Sequence, residues 1–251
     1  SGSLAMVPFA SLSTVEDGAP LGITTAVRYA PSLTVARLAS ERRPAVRDGR
    51  ALVAGNPAMP EVETLRGARG ALGTLPAAEE ESERVAGYLG VVPLIGAAAT
   101  ETAVRRRIGS ASVVHLATHG FAYSGQPLQS FVALATDTTN DGKFTVGEIV
   151  EDESIRFVAD LVVLSACQTG LGSLKLAEGT IGLQRAILAR GARTVLVSLW
   201  SVSDRATLAL MDDFYRHWRG GTGRSTKAEA LRRAQATVRA MPGFSHPRYW
   251  A

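Results

Sequence analysis

Cysteine is almost missing from this 251-residue sequence, which contains only Cys167. One thiol cannot form a disulfide within the chain, and no group of cysteines and histidines has the spacing of a zinc site. A chain without disulfides is typical of a reducing compartment, so we expect a cytoplasmic protein. We also expect neither a bound metal nor a cofactor.

Long apolar runs are missing as well. No stretch reaches the roughly 18 apolar residues that a membrane-spanning helix needs, and the N-terminus lacks the features of a secretory signal. We therefore expect no membrane association. The apolar string LAMVPFASL (4–12) resembles the interior of a strand, so we expect the chain to be a piece of a longer protein.

Nucleotide-binding and serine-hydrolase motifs are absent too. The sequence has no P-loop, no GxGxxG fingerprint and no GxSxG elbow. The net charge is +4, but basic runs such as 105–107 lie in amphipathic helical patterns without interleaved aromatic residues. This pattern is typical of solvated helix faces, so we expect no direct contact with nucleic acid.

Short, continuous apolar runs alternate with amphipathic segments after residue 50. ALVAGNP (51–57), SVVHLATHG (112–120) and DLVVLSACQTG (160–170) are apolar without alternation, which is typical of strands covered on both faces. The pattern predicts an α/β protein with a mostly parallel sheet between two helical layers. Residues 1–45 are less periodic and predict strand, turn, strand and helix, which form either a small subdomain or an edge extension of the sheet. The main domain is predicted at 46–251.

Helix boundaries are predicted from capping residues. The string GTIGLQRAILARG (179–191) has a helical apolar face and ends in a glycine. Ser201 with Asp204 and Thr226 with Glu229 have the spacing of a capping box, so each pair predicts a helix start.

Two predicted strands end in residues that can do chemistry. His119 and Gly120 close one strand, and Cys167 closes another. Parallel neighbours would bring the imidazole and the thiol to the same edge of the sheet, where α/β proteins hold their sites. A nearby histidine activates a thiol as a nucleophile, and the N–H groups of Gly120 and Cys167 could stabilise an oxyanion.

Four strings carry a resemblance to a known family: HLATHG, LVVLSACQTG, EGTIGLQRAILARGARTVLVSLWSVSDRATLALMDDFY and HPRYW. With these strings the sequence resembles the CHAT domain, a bacterial branch of the caspase-like cysteine peptidases related to separases. The resemblance implies a caspase-like three-layer α/β/α sandwich. It also implies that His119 is the general base, that Cys167 is the nucleophile, and that Gly120 and Cys167 line the oxyanion hole.

The same resemblance implies a peptide groove after the last strand, with Leu199, Trp200, Ser201 and Asp204 as candidates. Asp204 either shapes a specificity pocket or favours the start of a helix; Asp137 is another possible acidic group in such a pocket. Segment 170–178 is a candidate activation loop. Family members often carry tetratricopeptide (TPR) repeats before this domain and one more strand after HPRYWA, so we expect an upstream sensor or regulatory partner.

We therefore predict a cysteine endopeptidase that cleaves a partner protein, in a regulated bacterial defence or signalling pathway. The main alternative is a catalytically silent caspase-like scaffold. A third reading keeps the thiol nucleophile but replaces the peptide with another acyl substrate, such as an amide or a thioester.

Two further patterns resemble metal sites. DTTNDGKFTVGE (137–148) matches several ligand positions of an EF-hand loop, but a strand precedes it and Thr145 with Glu148 predicts a capping box, so we favour a turn followed by a helix cap. His115 and His119 would lie roughly 13 Å apart on a strand, too far to share a metal. We expect His115 to be buried and hydrogen-bonded to a neighbour.

Overall fold

A computed structural model describes residues 7–13, 15, 18–42, 50–63, 69–123, 125–167, 176–198, 200, 202–220 and 225–251. Its strands are β1 (Ala51–Pro57), β2 (Glu61–Glu63), β3 (Arg69–Ala71), β4 (Leu94–Gly96), β5 (Val113–Phe121), β6 (Phe131–Ala133), β7 (Lys143–Thr145), β8 (Leu161–Cys167) and β9 (Val195–Val197). Its helices are α1 (Leu21–Thr24), α2 (Leu33–Glu41), α3 (Pro76–Leu89), α4 (Glu101–Ile108), α5 (Val146–Glu151), α6 (Leu176–Ala189), α7 (Asp204–Arg219) and α8 (Lys227–Ala240).

The central sheet is mostly parallel, as predicted. Strands β4, β1, β5, β8 and β9 lie side by side in that order, and each neighbouring pair is parallel. The end of β5 turns to a different partner, because Gly120 and Phe121 pair with β6 in an antiparallel ladder that β7 extends. Strands β2 and β3 form a separate hairpin.

Helices cover both faces of this sheet, which explains the continuous apolar runs. On β5, Val113 packs in the same cluster as Phe214 of α7, whereas Val114 packs with Ile108 of α4 and Ile187 of α6. Neighbouring strand residues thus point into opposite cores. Burying one such side chain favours folding by about 1.5–3 kcal/mol.

The N-terminal region differs from its prediction. The described part of residues 7–42 holds a single 3₁₀ turn at Phe9–Ser11 and helix α1 where strands were expected, and then the predicted helix, α2. Proline explains the difference, because Pro8 and Pro20 directly precede the turn and α1, where a fixed φ favours a helical start. The predicted boundary at residue 45 falls outside the described residues.

The predicted helix starts are partly confirmed. The Thr226 side chain accepts a hydrogen bond from the Glu229 N–H at the start of α8, and Thr145 with Glu148 forms a complete capping box. The Ser201 prediction is wrong, because Ser203 is the N-cap of α7. None of the helices in the described ranges is long and apolar enough to cross a membrane.

Candidate active site

His119 and Cys167 are directly paired across two parallel strands. The register of β5 and β8 matches Thr118 with Ala166 and His119 with Cys167, the last residue of β8. Neighbouring strands in a sheet are about 4.8 Å apart. The backbone therefore brings the predicted base and nucleophile to adjacent positions at the carboxyl edge of the sheet.

The His119 ring is held by a backbone carbonyl. Its side chain is buried, and Nε2 lies 2.8 Å from the oxygen of Gly73. A carbonyl oxygen only accepts hydrogen bonds, so Nε2 carries the hydrogen in this contact, and Nδ1 is the basic atom of the neutral ring. A fixed tautomer of this kind is what a general base requires.

No pattern in the sequence points to Gly73. It lies between β3 and α3, in a segment without an apolar pattern, and it acts through a backbone oxygen that every residue type has. Its neighbour Leu72 packs against a buried cluster that includes Phe121 and Phe131, whose rings stack with centroids 4.8 Å apart. This apolar cluster borders the strand end that carries His119.

Gly120 lies where two backbones come close together. A Cβ atom placed on it would be 3.0 Å from the Cβ of Ala166, the residue before Cys167. A larger residue would therefore push β5 away from β8 at the strand ends. Gly120 also pairs with Val132 of β6, so both of its neighbouring strands fix its position.

The predicted groove residues are only partly described, since Leu199 and Ser201 lie outside the described residues. Trp200 is half-buried, and its indole N–H donates a 2.8 Å hydrogen bond to the carbonyl of Arg248. Asp204 is exposed in the first turn of α7. A negative charge is favourable there, which agrees with the second reading of this residue, a contribution to the helix start.

The predicted activation loop, 170–178, overlaps the start of α6. Residues 168–175 lie outside the described ranges, but α6 already begins at Leu176, so residues 176–178 are helical.

His115 is buried and hydrogen-bonded to a neighbour, as predicted, and it also lies beside a carboxylate. Its Nδ1 lies 3.3 Å from the Tyr215 hydroxyl, and its Nε2 lies 2.9 Å from Oε1 of Glu81, which is itself buried. Burial raises the pKa of Tyr215 well above its ordinary value, as does the nearby Glu81 charge, so this hydroxyl keeps its proton. The sequence did not single out Glu81.

Asp137 and Glu148 serve the local fold. One Asp137 oxygen accepts from the N–H of Thr102 at the start of α4, and the other accepts from Thr139 and Asn140. These hydrogen bonds lower the pKa of Asp137. Glu148 completes the cap of α5. The favoured reading of 137–148, a turn followed by a cap, is therefore confirmed, and Asp137 is committed to backbone contacts.

Comparison with known families identifies the chain. The model of the CHAT domain family matches residues 1–251. Tetratricopeptide repeat protein 28 of Homo sapiens is 33% identical over 231 residues, which cover 80% of this chain and 9% of that protein. The protein of the same name from Mus musculus is 32% identical with the same coverage. The chain thus spans a small part of these curated relatives.

Two solved structures with a similar fold are of a cysteine proteinase. The crystal structure of the Arg-specific cysteine proteinase gingipain R matches with a TM-score of 0.53 at 10% identity, covering 88% of this chain and 51% of that one. The complex of its pro- and mature domains from Porphyromonas gingivalis matches with a TM-score of 0.51 at 11% identity, covering 86% and 49%. At these identities the likeness shows the fold, and it confirms the predicted caspase-like α/β architecture.

Proposed function

Because this chain belongs to the CHAT domain family, we propose that it is a cysteine endopeptidase with His119 as general base and Cys167 as nucleophile. The observation that carries the proposal is the direct pairing of these two residues at the sheet edge, beside a carbonyl that holds His119 Nε2. Paired residues on adjacent parallel strands project from the same face of the sheet, with their backbones about 4.8 Å apart, and the proposal requires the imidazole and the thiol to meet directly or through one water.

The proposed reaction has two stages. In the first, His119 Nδ1 takes the proton of the Cys167 thiol, and the sulfur bonds to the peptide carbonyl carbon while the C=O π pair moves to oxygen. The C–N bond then breaks, the amine leaves with the proton from His119, and a thioester remains. In the second stage, His119 deprotonates water, the hydroxide displaces the thiolate to release the acid, and the proton returns to sulfur.

The N–H groups of Gly120 and Cys167 are the proposed donors to the oxyanion. The tight packing of Gly120 against Ala166 supports this role, since it fixes the strand ends before substrate binds. We propose that the substrate runs as an extended chain along Leu199, Trp200 and Ser201. This is supported by the parallel pairing of β8 with β9, whose carboxyl end lies at the same sheet edge as Cys167.

Regulation by helical repeats in a longer protein is the second part of the proposal. The human and mouse relatives are named for tetratricopeptide repeats, and the matched region is 9% of their length. Repeats of this type would sense a signal and control access to the site. The cytoplasm and a bacterial defence or signalling pathway remain predictions, the latter from family resemblance alone.

A silent scaffold is the second candidate function. The observation that favours it is that the relatives at 32–33% identity are named for their repeats and not for a peptidase. A scaffold needs no aligned base and nucleophile, so the paired strand ends favour the enzyme.

Cleavage of proteins distinguishes the two functions. The chain, alone and within its full-length protein, would be incubated with a denatured proteome, and new N-termini would be identified by mass spectrometry. We expect new termini with the wild type and none with Cys167→Ala or His119→Ala. If neither form of the wild type produces termini beyond those of Cys167→Ala, the endopeptidase proposal is wrong; thioester hydrolysis without cleavage would favour the third reading.

A further inference from the structure

We propose that Asn56 is a positioning residue for the His119 base, because its side chain anchors the segment whose Gly73 carbonyl holds His119 Nε2. The inference rests on the proposed function, in which His119 is the base. It adds a residue from a different strand to the site.

Asn56 has an unusual backbone position. Strand β1 pairs with β4 at Gly55 and then at Pro57, with a register shift that leaves Asn56 between the two pairs. Its φ is +41°, and no other non-glycine residue in the described ranges has a positive φ. Asparagine tolerates this region better than most residues do. A bulge of this kind redirects a side chain at the end of a strand.

The redirected side chain reaches the start of α3. Asn56 Oδ1 accepts a 2.7 Å hydrogen bond from the N–H of Leu75, and Nδ2 donates a 2.8 Å bond to Oε2 of Glu79. Gly55 makes this approach possible, since a Cβ there would collide with Ser82 of α3. The amide therefore joins the end of β1 to the first turn of α3.

Gly73 lies two residues before Leu75. It is exposed, and a Cβ placed on it would have no atom within 4 Å, so packing does not hold it. Anchors on either side hold it instead: Leu72 in the apolar cluster beside Phe121, and Leu75 on the Asn56 amide. Loss of the Asn56 anchor would release one end of this short segment.

The consequence for His119 concerns its tautomer. With the Gly73 carbonyl in place, the hydrogen resides on Nε2 and Nδ1 is the base. Without it, the Nε2–H tautomer loses this acceptor, so the other neutral tautomer gains population and a smaller fraction of molecules is ready to react. Asn56 thus acts through Gly73 and touches neither the substrate nor the reacting atoms.

The test is ¹⁵N NMR of the histidine rings, which is tractable because the chain has four histidines. His119→Gln assigns the His119 signals. Asn56→Gly removes both side-chain hydrogen bonds but tolerates the positive φ. We expect the wild type to show only the Nε2–H tautomer of His119, and Asn56→Gly to show a mixture. Alkylation of Cys167 at pH 7 should slow by about 3- to 10-fold, the size of one lost hydrogen bond.

Rescue separates this role from a general loss of structure. Asn56→Asp alone keeps an acceptor for the Leu75 N–H, but its new carboxylate faces the Glu79 carboxylate and the two negative charges repel each other. In the double variant N56D/E79Q the amide at position 79 donates to the carboxylate at position 56, which reverses the original hydrogen bond. This variant should recover the single Nε2–H tautomer of His119. Asn140→Gly is the matched control, because its amide makes a 2.8 Å hydrogen bond to Thr102 in a loop before β7.

An unchanged His119 tautomer and alkylation rate in Asn56→Gly would overturn the inference, and so would an equal change in Asn140→Gly. A third result separates it from the proposed function. If the tautomer depends on Asn56 but wild-type alkylation does not depend on His119, the positioning role stands and the peptidase proposal fails.

Discussion

His115 Nε2 lies 2.9 Å from Glu81 Oε1, and both side chains are almost fully buried, at 0% and 3% exposed. Glu81 comes from α3 and His115 comes from β5. His119 follows His115 by four residues on β5, so the two histidines lie on the same face of the strand. The contact joins a helix to the strand that carries the proposed base.

Replacement of Glu81 by alanine should therefore destabilise the fold. The change removes the only carboxylate that lies beside the buried His115 Nε2 in the described residues, and a buried polar group left without a polar neighbour costs about 1–3 kcal/mol. Denaturation in urea would measure the loss. Glu80→Ala is the matched control, since Glu80 pairs with Arg84 at the surface with half of its side chain exposed, and such pairs contribute about 1 kcal/mol or less. Equal losses for the two variants would contradict the prediction.

The stability of the protein should depend on pH through Glu101. Burial, together with the negative charge of Glu148, raises the pKa of this carboxyl from 4.5 to about 7. The folded protein thus holds the proton more tightly than the unfolded chain does. This contribution to stability is complete below about pH 4.5 and is lost as the pH rises through 7.

Glu101→Gln mimics the protonated acid and should remove this pH dependence. At pH 8 the variant should be more stable than the wild type by about 3–4 kcal/mol, at about 1.4 kcal/mol for each of the roughly 2.5 pKa units, whereas at pH 4 the two should be similar. Melting curves across this range provide the measurement, with the exposed Glu153→Gln as control. A constant difference at all pH values would show that the raised pKa is not its source.

Gly120→Ala should slow alkylation of Cys167 at pH 7. The added methyl would lie 3.0 Å from Ala166 and push apart the strand ends that hold His119 and Cys167. We expect a loss of at least about 10-fold, together with a destabilisation of about 1–3 kcal/mol from overpacking.

Gly87→Ala provides the matched control for that variant. Its Cβ would meet no atom within 4 Å, and it lies inside α3. Alanine there should stabilise the protein by about 0.5–1 kcal/mol and leave alkylation unchanged. Similar alkylation rates in both variants would argue against a role for tight packing at Gly120.

The parts of the fold that sequence predicts well are those set by burial on both faces. The runs around His115 and Val163 are apolar because helices cover each side of the sheet, and this pattern is readable without knowledge of any contact. The same runs locate His119 and Cys167, because a strand that ends in a reactive side chain delivers it to the sheet edge.

Other parts of the site leave no such pattern. Gly73 acts through its backbone, and Asn56 acts through a bulge that depends on how β1 and β4 pair. Glu81 lies in a run of three glutamates, and only the packing of α3 decides that it is the one buried. The N-terminal turns depend on where Pro8 and Pro20 begin helical segments, which overrides the apolar pattern.

The most direct measurement is the rate of Cys167 alkylation by iodoacetamide between pH 5 and 9, in the wild type and in His119→Ala, with Cys167→Ala as the blank. A proposed base beside the thiol predicts fast labelling of the wild type near pH 7 that slows by at least about 10-fold in His119→Ala. Labelling that is rapid only at alkaline pH and equal in both proteins would contradict a His119–Cys167 dyad in this chain.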